Sequence, residues 1–132
     1  MECTEIISTI IAAVALVVSI VSLVCSKQAA KKSLQMNIFN EFTRRYQEIT
    51  MGLMSDHQNE VKYQRLYIDL CSEEYYLNKK DCLPKEVWKM WLEGMIIAVK
   101  VDSLKTAWTQ YRGLYDPGFQ GFFDNLIKES NK

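Results

Sequence analysis

The chain holds 132 residues, with 16 basic and 16 acidic side chains, one histidine and four cysteines. That length suffices for one domain with one modest core and is too short for two once any anchor is subtracted. A formal charge of zero, with no zinc-knuckle or RNP-type pattern, argues against nucleic acid as a partner.

The first element is an apolar run. No charged side chain occurs from Ile6 to Cys25, about the twenty residues that an α-helix needs to cross roughly 30 Å of hydrocarbon. Secretory signals begin with positive charge and end at a small-residue cleavage site. Here Glu2 and Glu5 precede the run and Lys27, Lys31 and Lys32 follow it. Residues 1–26 are therefore expected to form a retained transmembrane anchor. A lipoprotein with Cys25 acylated is disfavoured by Val24, where a small residue is wanted, and by the acidic start. The positive-inside rule puts the lysines in the cytoplasm and Met1 to Glu5 outside. The expected location is thus the cell membrane, single-pass, with the C-terminal domain cytoplasmic.

Within the span, Ser8, Ala12, Ala15, Ser19, Ser22 and Ser26 follow one another at alternating steps of four and three, a seven-residue grid on one helix face. Ile11, Val14, Val18 and Val21 lie off that line, as do the small residues Thr9 and Ala13. Helices meet in lipid by close backbone approach and interhelical hydrogen bonds, which a seam of Ala and Ser favours. A strict seven-residue repeat further implies a left-handed crossing. The seam predicts a homo-oligomer.

Residues 27–54 read as a basic juxtamembrane amphipathic helix. Lys27, Lys31, Lys32, Arg44 and Arg45 stand against Glu41 alone between Lys27 and Tyr46. The five cations are the expected contacts for anionic membrane headgroups, worth about 1 kcal/mol each near the surface, or for an anionic ligand. Arg44 and Arg45 suit phosphate best because guanidinium binds it bidentately. Leu34, Ile38, Phe42, Tyr46, Ile49 and Leu53 recur at helical spacing. No Pro or Gly interrupts Ser26 to Met51, so the membrane helix is expected to run on. Gly52 and the polar stretch Ser55 to Asn59 predict a break.

Residues 55–132 read as a helical domain. A helix from about Asn59 to Lys80 would turn Tyr63, Leu66, Tyr67, Leu70, Cys71 and Leu77 inward. Asp81 to Pro84 predicts a turn, with Pro84 in the first position of a helix carrying Val87, Trp88, Trp91, Leu92, Met95, Ile96 and Val99. Gly94 inside that helix costs about 1 kcal/mol relative to alanine, which a close helix crossing would explain. Asp102 or Ser103 is expected to cap a fourth helix, with Leu104, Ala107, Trp108 and Tyr111 inside and Gly113 ending it. Asp116 and Pro117 open a last helix with Phe119, Phe122, Phe123, Leu126 and Ile127. No run alternates like a strand. The expected fold class is all-α: one N-terminal transmembrane helix continuing into a small cytosolic helical bundle.

Little in this sequence carries reaction chemistry. Cys3, Cys25, Cys71 and Cys82 show no metal spacing, and His57 alone cannot complete a structural zinc site. Cys25 at the membrane boundary is a weak palmitoylation candidate. Arg65 with Asp69, and Asp69 beside Glu73 and Glu74, fit a salt-bridged helix face better than a metal site, which would want Glu-x-x-His motifs. The five Phe, three Trp and seven Tyr read as core filling rather than a stacking platform. There is no glycine-rich phosphate loop, nucleophile elbow or zincin helix. The expectation is a non-enzyme with no cofactor, no metal and no catalytic residue.

Three strings, Phe39-Asn40-Glu41-Phe42-Thr43-Arg44-Arg45-Tyr46-Gln47-Glu48-Ile49, Tyr67-Ile68-Asp69-Leu70-Cys71-Ser72-Glu73-Glu74-Tyr75-Tyr76-Leu77 and Trp88-Lys89-Met90-Trp91-Leu92-Glu93-Gly94-Met95, carry a resemblance. Together they resemble a widespread group of uncharacterised small single-pass prokaryotic membrane proteins with a helical cytosolic domain. The resemblance implies a helical module behind one anchor and brings no catalytic residues. In general architecture the chain is also similar to small anchored effectors of prokaryotic antiviral defence, by analogy of build alone. Two functions follow. The first is a membrane-anchored interaction and oligomerisation module that docks a cytosolic protein partner. The alternative is an oligomeric effector gated by a nucleotide messenger bound to the cytosolic domain, acting by perturbing the membrane.

Overall fold

The protein is described here by a computed structural model that covers residues Glu2–Lys132. Five α-helices account for nearly all of it: α1 (Glu2–Ser55), α2 (Glu60–Lys79), α3 (Lys85–Ala98), α4 (Asp102–Tyr111) and α5 (Pro117–Ser130). Short 3₁₀ turns occupy His57–Asn59 and Arg112–Leu114, and there is no strand among the described residues. The fold is all-α. The chain divides into two compact units, one ending at Asn37 and one comprising Ile38–Lys132.

The first unit is helix alone. Its apolar stretch is long and apolar enough to cross a membrane, and none of that stretch is buried by protein. Helix formation there needs no partner, because the i→i−4 hydrogen bonds of the helix satisfy the backbone groups of the apolar stretch within the segment. The hydroxyls of Thr9 and Ser19 donate back to the carbonyls of Glu5 (2.8 Å) and Ala15 (2.9 Å).

The second unit has a contiguous core. Ile68, Leu70 and Cys71 of α2, Met95 of α3, Leu104 and Ala107 of α4, and Phe119 and Phe123 of α5 are fully buried, as is Val99 just after α3. Full burial of each of the larger side chains contributes about 1.5–3 kcal/mol. Trp108 sits among the aromatics of α5, with its ring 4.6 Å from Phe123 and edge-on to Phe119 at 5.8 Å. Its indole N–H donates to Asp124 (2.8 Å), so the ring is buried without an orphaned donor. Phe42 and Ile49 of α1, Tyr67 of α2 and Leu83 before α3 are buried as well.

The helix ends explain where the elements stop. After α2 the chain turns through Asp81, which takes a left-handed conformation (φ 56°). Asp81 N–H donates to Asn78 O (3.0 Å) and Cys82 N–H to Leu77 O (2.9 Å), a Schellman closure with Asp where glycine is usual. At α5 the Asp116 carboxylate accepts from Gly118 N–H (2.8 Å) and Pro117 occupies the first turn, as the sequence indicates.

Helix α1 passes through Gly52, which has no left-handed φ, and breaks at Ser55, within the expected polar stretch Ser55 to Asn59. Elsewhere the ends differ from expectation. Pro84 is the N-cap of α3 rather than its first residue. Val101 is the N-cap of α4 and no side chain caps it; Ser103 instead accepts from Gln64 Nε2 (3.0 Å), which satisfies a buried amide. Gly113 does not end α4 but lies in the 3₁₀ turn, without positive φ. The expected inner stripes are partly rotated: Leu66, Tyr46, Ile96 and Leu34 are exposed, whereas Ile68 is fully buried.

Candidate functional site

The residues singled out by sequence fall in two places. Ser8, Ala12, Ala15, Ser19, Ser22 and Ser26 are all exposed along α1 and belong to the first unit. Lys27, Lys31 and Lys32 follow on the same helix, are exposed, and form no ion pair among the described residues. They are free to meet anions.

Arg44 and Arg45 are engaged. Arg44 reaches Glu41 (2.8 Å) and Glu48 on its own helix, an exposed i,i+3/i,i+4 cluster. Arg45 makes a two-pronged pair with Glu73 of α2 (2.6 and 3.0 Å) and lies 5.3 Å from the centre of the Phe42 ring. Both guanidiniums are held further toward the charged form, chiefly by these carboxylate hydrogen bonds. A phosphate would have to displace a carboxylate at either.

Sequence spacing suggested an Arg65–Asp69 pair. The structure separates them: the Arg65 guanidinium stacks over Tyr111 (4.5 Å), and Asp69 accepts from the Tyr115 hydroxyl (2.6 Å). The Tyr115 phenol is pushed up by desolvation and by that carboxylate. Asp69, Tyr115, Arg45, Glu73, Tyr63 and Ser72 line an open cleft of about 570 Å³ between α1 and α2 within the second unit. Arg45 and Glu73 are paired with each other there, and Asp69 is occupied by the Tyr115 hydroxyl.

A second cleft of about 370 Å³ is different in kind. Its walls are Phe39, Phe42 and Tyr46 from α1, Tyr67 from α2, and Met90, Trp91 and Gly94 from α3, with Glu74 of α2 as its single charge. Trp91 stacks with Phe42 (5.2 Å) and Phe39 (6.4 Å), and Tyr46 tilts against Tyr67 (6.2 Å). Glu74 is only 6% exposed. It forms no ion pair among the described residues, because Arg45 is spent on Glu73. Burial is the main reason its carboxyl is pushed up to about 8; Arg45 acts against this and Glu73 adds to it. No buried side-chain N or O atom among the described residues lacks a partner, so the Glu74 oxygens must keep contact with the open cleft.

Gly94 explains part of this opening. A Cβ there would meet nothing within 4 Å, so no helix crosses closely at Gly94, against expectation. The close approach is at Gly52, where a Cβ would lie 2.2 Å from the Tyr63 ring. Among nucleophiles, the Cys71 thiol is fully buried and pushed up by desolvation, which leaves it unreactive. No group of three or more His, Cys, Asp or Glu among the described residues is arranged to hold a metal ion.

Sequence reasoning placed Glu74 on a solvated face and treated the aromatics as core alone. Its position four residues after Leu70 and three after Cys71, both buried, was the one available signal. No protein family, curated protein or solved structure matches this chain.

Proposed function

We propose that the protein is a non-enzymatic, membrane-anchored helical interaction module, similar in build to small single-pass prokaryotic membrane proteins. Residues 1–26 form its transmembrane span, and the domain from Ile38 onward is a cytosolic helical bundle. The observation that carries this reading is the complete lack of protein cover over the apolar stretch of α1. Ile6, Ile10, Val14, Val17, Val21 and Leu23 are each at least half exposed. In water such a surface would cost roughly 25 cal/mol per Å², and contiguous apolar patches of this size mark contact with lipid or protein. Glu2 and Glu5 before the stretch and Lys27, Lys31 and Lys32 after it support a retained span with the lysines on the cytoplasmic side. Anionic headgroups are the lysines' partners.

The span self-associates along Ser8, Ala12, Ala15, Ser19, Ser22 and Ser26, and the assembled cytosolic domains dock a protein partner. The Ser19 hydroxyl already bonds within its own helix. The seam therefore acts by allowing close backbone approach. Ser19→Leu should reduce cross-linked oligomer in native membranes at least about threefold, while Val21→Leu on the far side leaves it unchanged. Equal oligomer in both variants would remove the seam from the account.

A further inference from the structure

We propose that the aromatic cleft lined by Glu74 is a binding site for a small organic cation, an ammonium carrying alkyl groups. The chemistry of the walls selects this class. Phe39, Phe42, Tyr46, Tyr67 and Trp91 line one cavity of about 370 Å³ together with Thr43 and a single carboxylate, Glu74. Ring faces attract cations, most strongly where water is excluded. Phe42 already holds the Arg45 guanidinium at 5.3 Å.

Other ligand classes fit less well. A hard divalent ion such as Ca²⁺ or Mg²⁺ wants six or more oxygen ligands, and this cavity offers one carboxylate. A neutral apolar molecule would seal Glu74 away from water without a partner, which is costly. An alkylammonium supplies the missing countercharge and sets its alkyl groups against the rings. The inference goes beyond the interaction module proposed above and does not depend on the seam.

Glu74 makes the binding pH-dependent. With its carboxyl at about 8, it is mostly protonated near neutrality, and a bound cation expels that proton to the buffer. The other titratable or charged groups around it are Arg45, Glu73, Tyr46, Tyr67 and Cys71 on α1 and α2. From α3 the cleft receives only Met90, Trp91 and Gly94, none of which titrates. Affinity for the cation should rise from about pH 6 to about pH 9.

The test is calorimetric titration of choline chloride into the full chain in phosphatidylglycerol nanodiscs, with the neutral isostere 3,3-dimethylbutan-1-ol as comparison. Choline should bind at least about tenfold tighter than the alcohol. Glu74→Gln should weaken choline about tenfold or more and abolish the rise with pH, and Trp91→Leu should weaken it at every pH. Glu74→Gln replaces a carboxyl that is mostly protonated near neutrality with a neutral group of the same shape, so the fold is kept, which circular dichroism checks. In phosphatidylcholine discs, unchanged affinity assigns a free cation as occupant, whereas loss of the choline signal there alone assigns a lipid headgroup with the same chemistry. Absence of choline binding in phosphatidylglycerol discs, equal binding of the alcohol, or full binding by Glu74→Gln would overturn the proposal.

Discussion

Arg45 of α1 reaches across to Glu73 of α2 with both of its terminal nitrogens, at 2.6 and 3.0 Å, and leaves the adjacent Glu74 without a counterion. One arginine serves two neighbouring carboxylates unequally. Glu73, half exposed, takes the hydrogen bonds, while buried Glu74 feels only the more distant charge.

The Arg45–Glu73 pair should therefore show measurable coupling. Its side chains are 28% and 50% exposed, so solvent screens it and the interaction is worth about 1 kcal/mol or less. A double-mutant cycle with Arg45→Gln and Glu73→Gln, read by chemical denaturation of the domain signal, should return that coupling. A value indistinguishable from zero would mean that α1 is held to α2 by packing contacts, such as Tyr46 against Tyr67 and Gly52 against Tyr63.

Glu74 sets a stability trend with pH. Its folded value, about 8, lies above the ordinary 4.5, so the folded state holds a proton that the unfolded chain has released. Stability from this group is fully present below about 4.5 and is lost as pH rises through about 8. Glu74→Gln should change stability little near pH 4.5 and raise it by a few kcal/mol at pH 9. Thermal unfolding of both proteins across that window checks the sign, and a variant that is less stable at pH 9 contradicts it.

Gly52 and Gly94 should respond oppositely to alanine. At Gly94 the added methyl meets open space, so the gain in helix propensity, up to about 1 kcal/mol, is realised. At Gly52 it would lie 2.2 Å from the Tyr63 ring, and overpacking of this kind costs roughly 1–3 kcal/mol. In a Tyr63→Ala background, Gly52→Ala should become neutral or stabilising. Melting temperatures of the four proteins decide it.

An interaction module need not open the membrane. Overexpression in bacteria should leave the cells impermeable to an excluded dye, and Ser19→Leu should make no difference to dye entry. Leakage that Ser19→Leu suppresses would instead support the effector reading, in which a messenger acts through α1 on the span.

Much of the fold was legible because single signals acted alone. The charge-free run Ile6–Cys25, the Asp116–Pro117 start of α5 and the stripe Leu104, Ala107, Trp108 each have one stable local solution, and the structure adopts it. Choices that depend on a distant neighbour were not legible. Ser103 could cap α4 or satisfy Gln64, and spacing along one helix cannot show that Gln64 lies across from it. Arg65 had Asp69 at the right interval, but the Tyr111 ring and the Tyr115 hydroxyl compete for the two partners from another element. The Glu74 cleft was hidden for the same reason. Its walls come from three helices, and only their packing decides that Phe39, Tyr46 and Trp91 line an opening rather than fill it.

The central claim is that α1 crosses a bilayer once and leaves the domain from Ile38 onward in the cytoplasm. Carbonate washing of membranes, followed by protease treatment of intact cells and of inverted vesicles, tests both halves. The account predicts that the protein stays in the washed pellet, that its C-terminal part survives protease outside intact cells, and that the same part is digested in inverted vesicles. Release by carbonate, or digestion in intact cells, would contradict it.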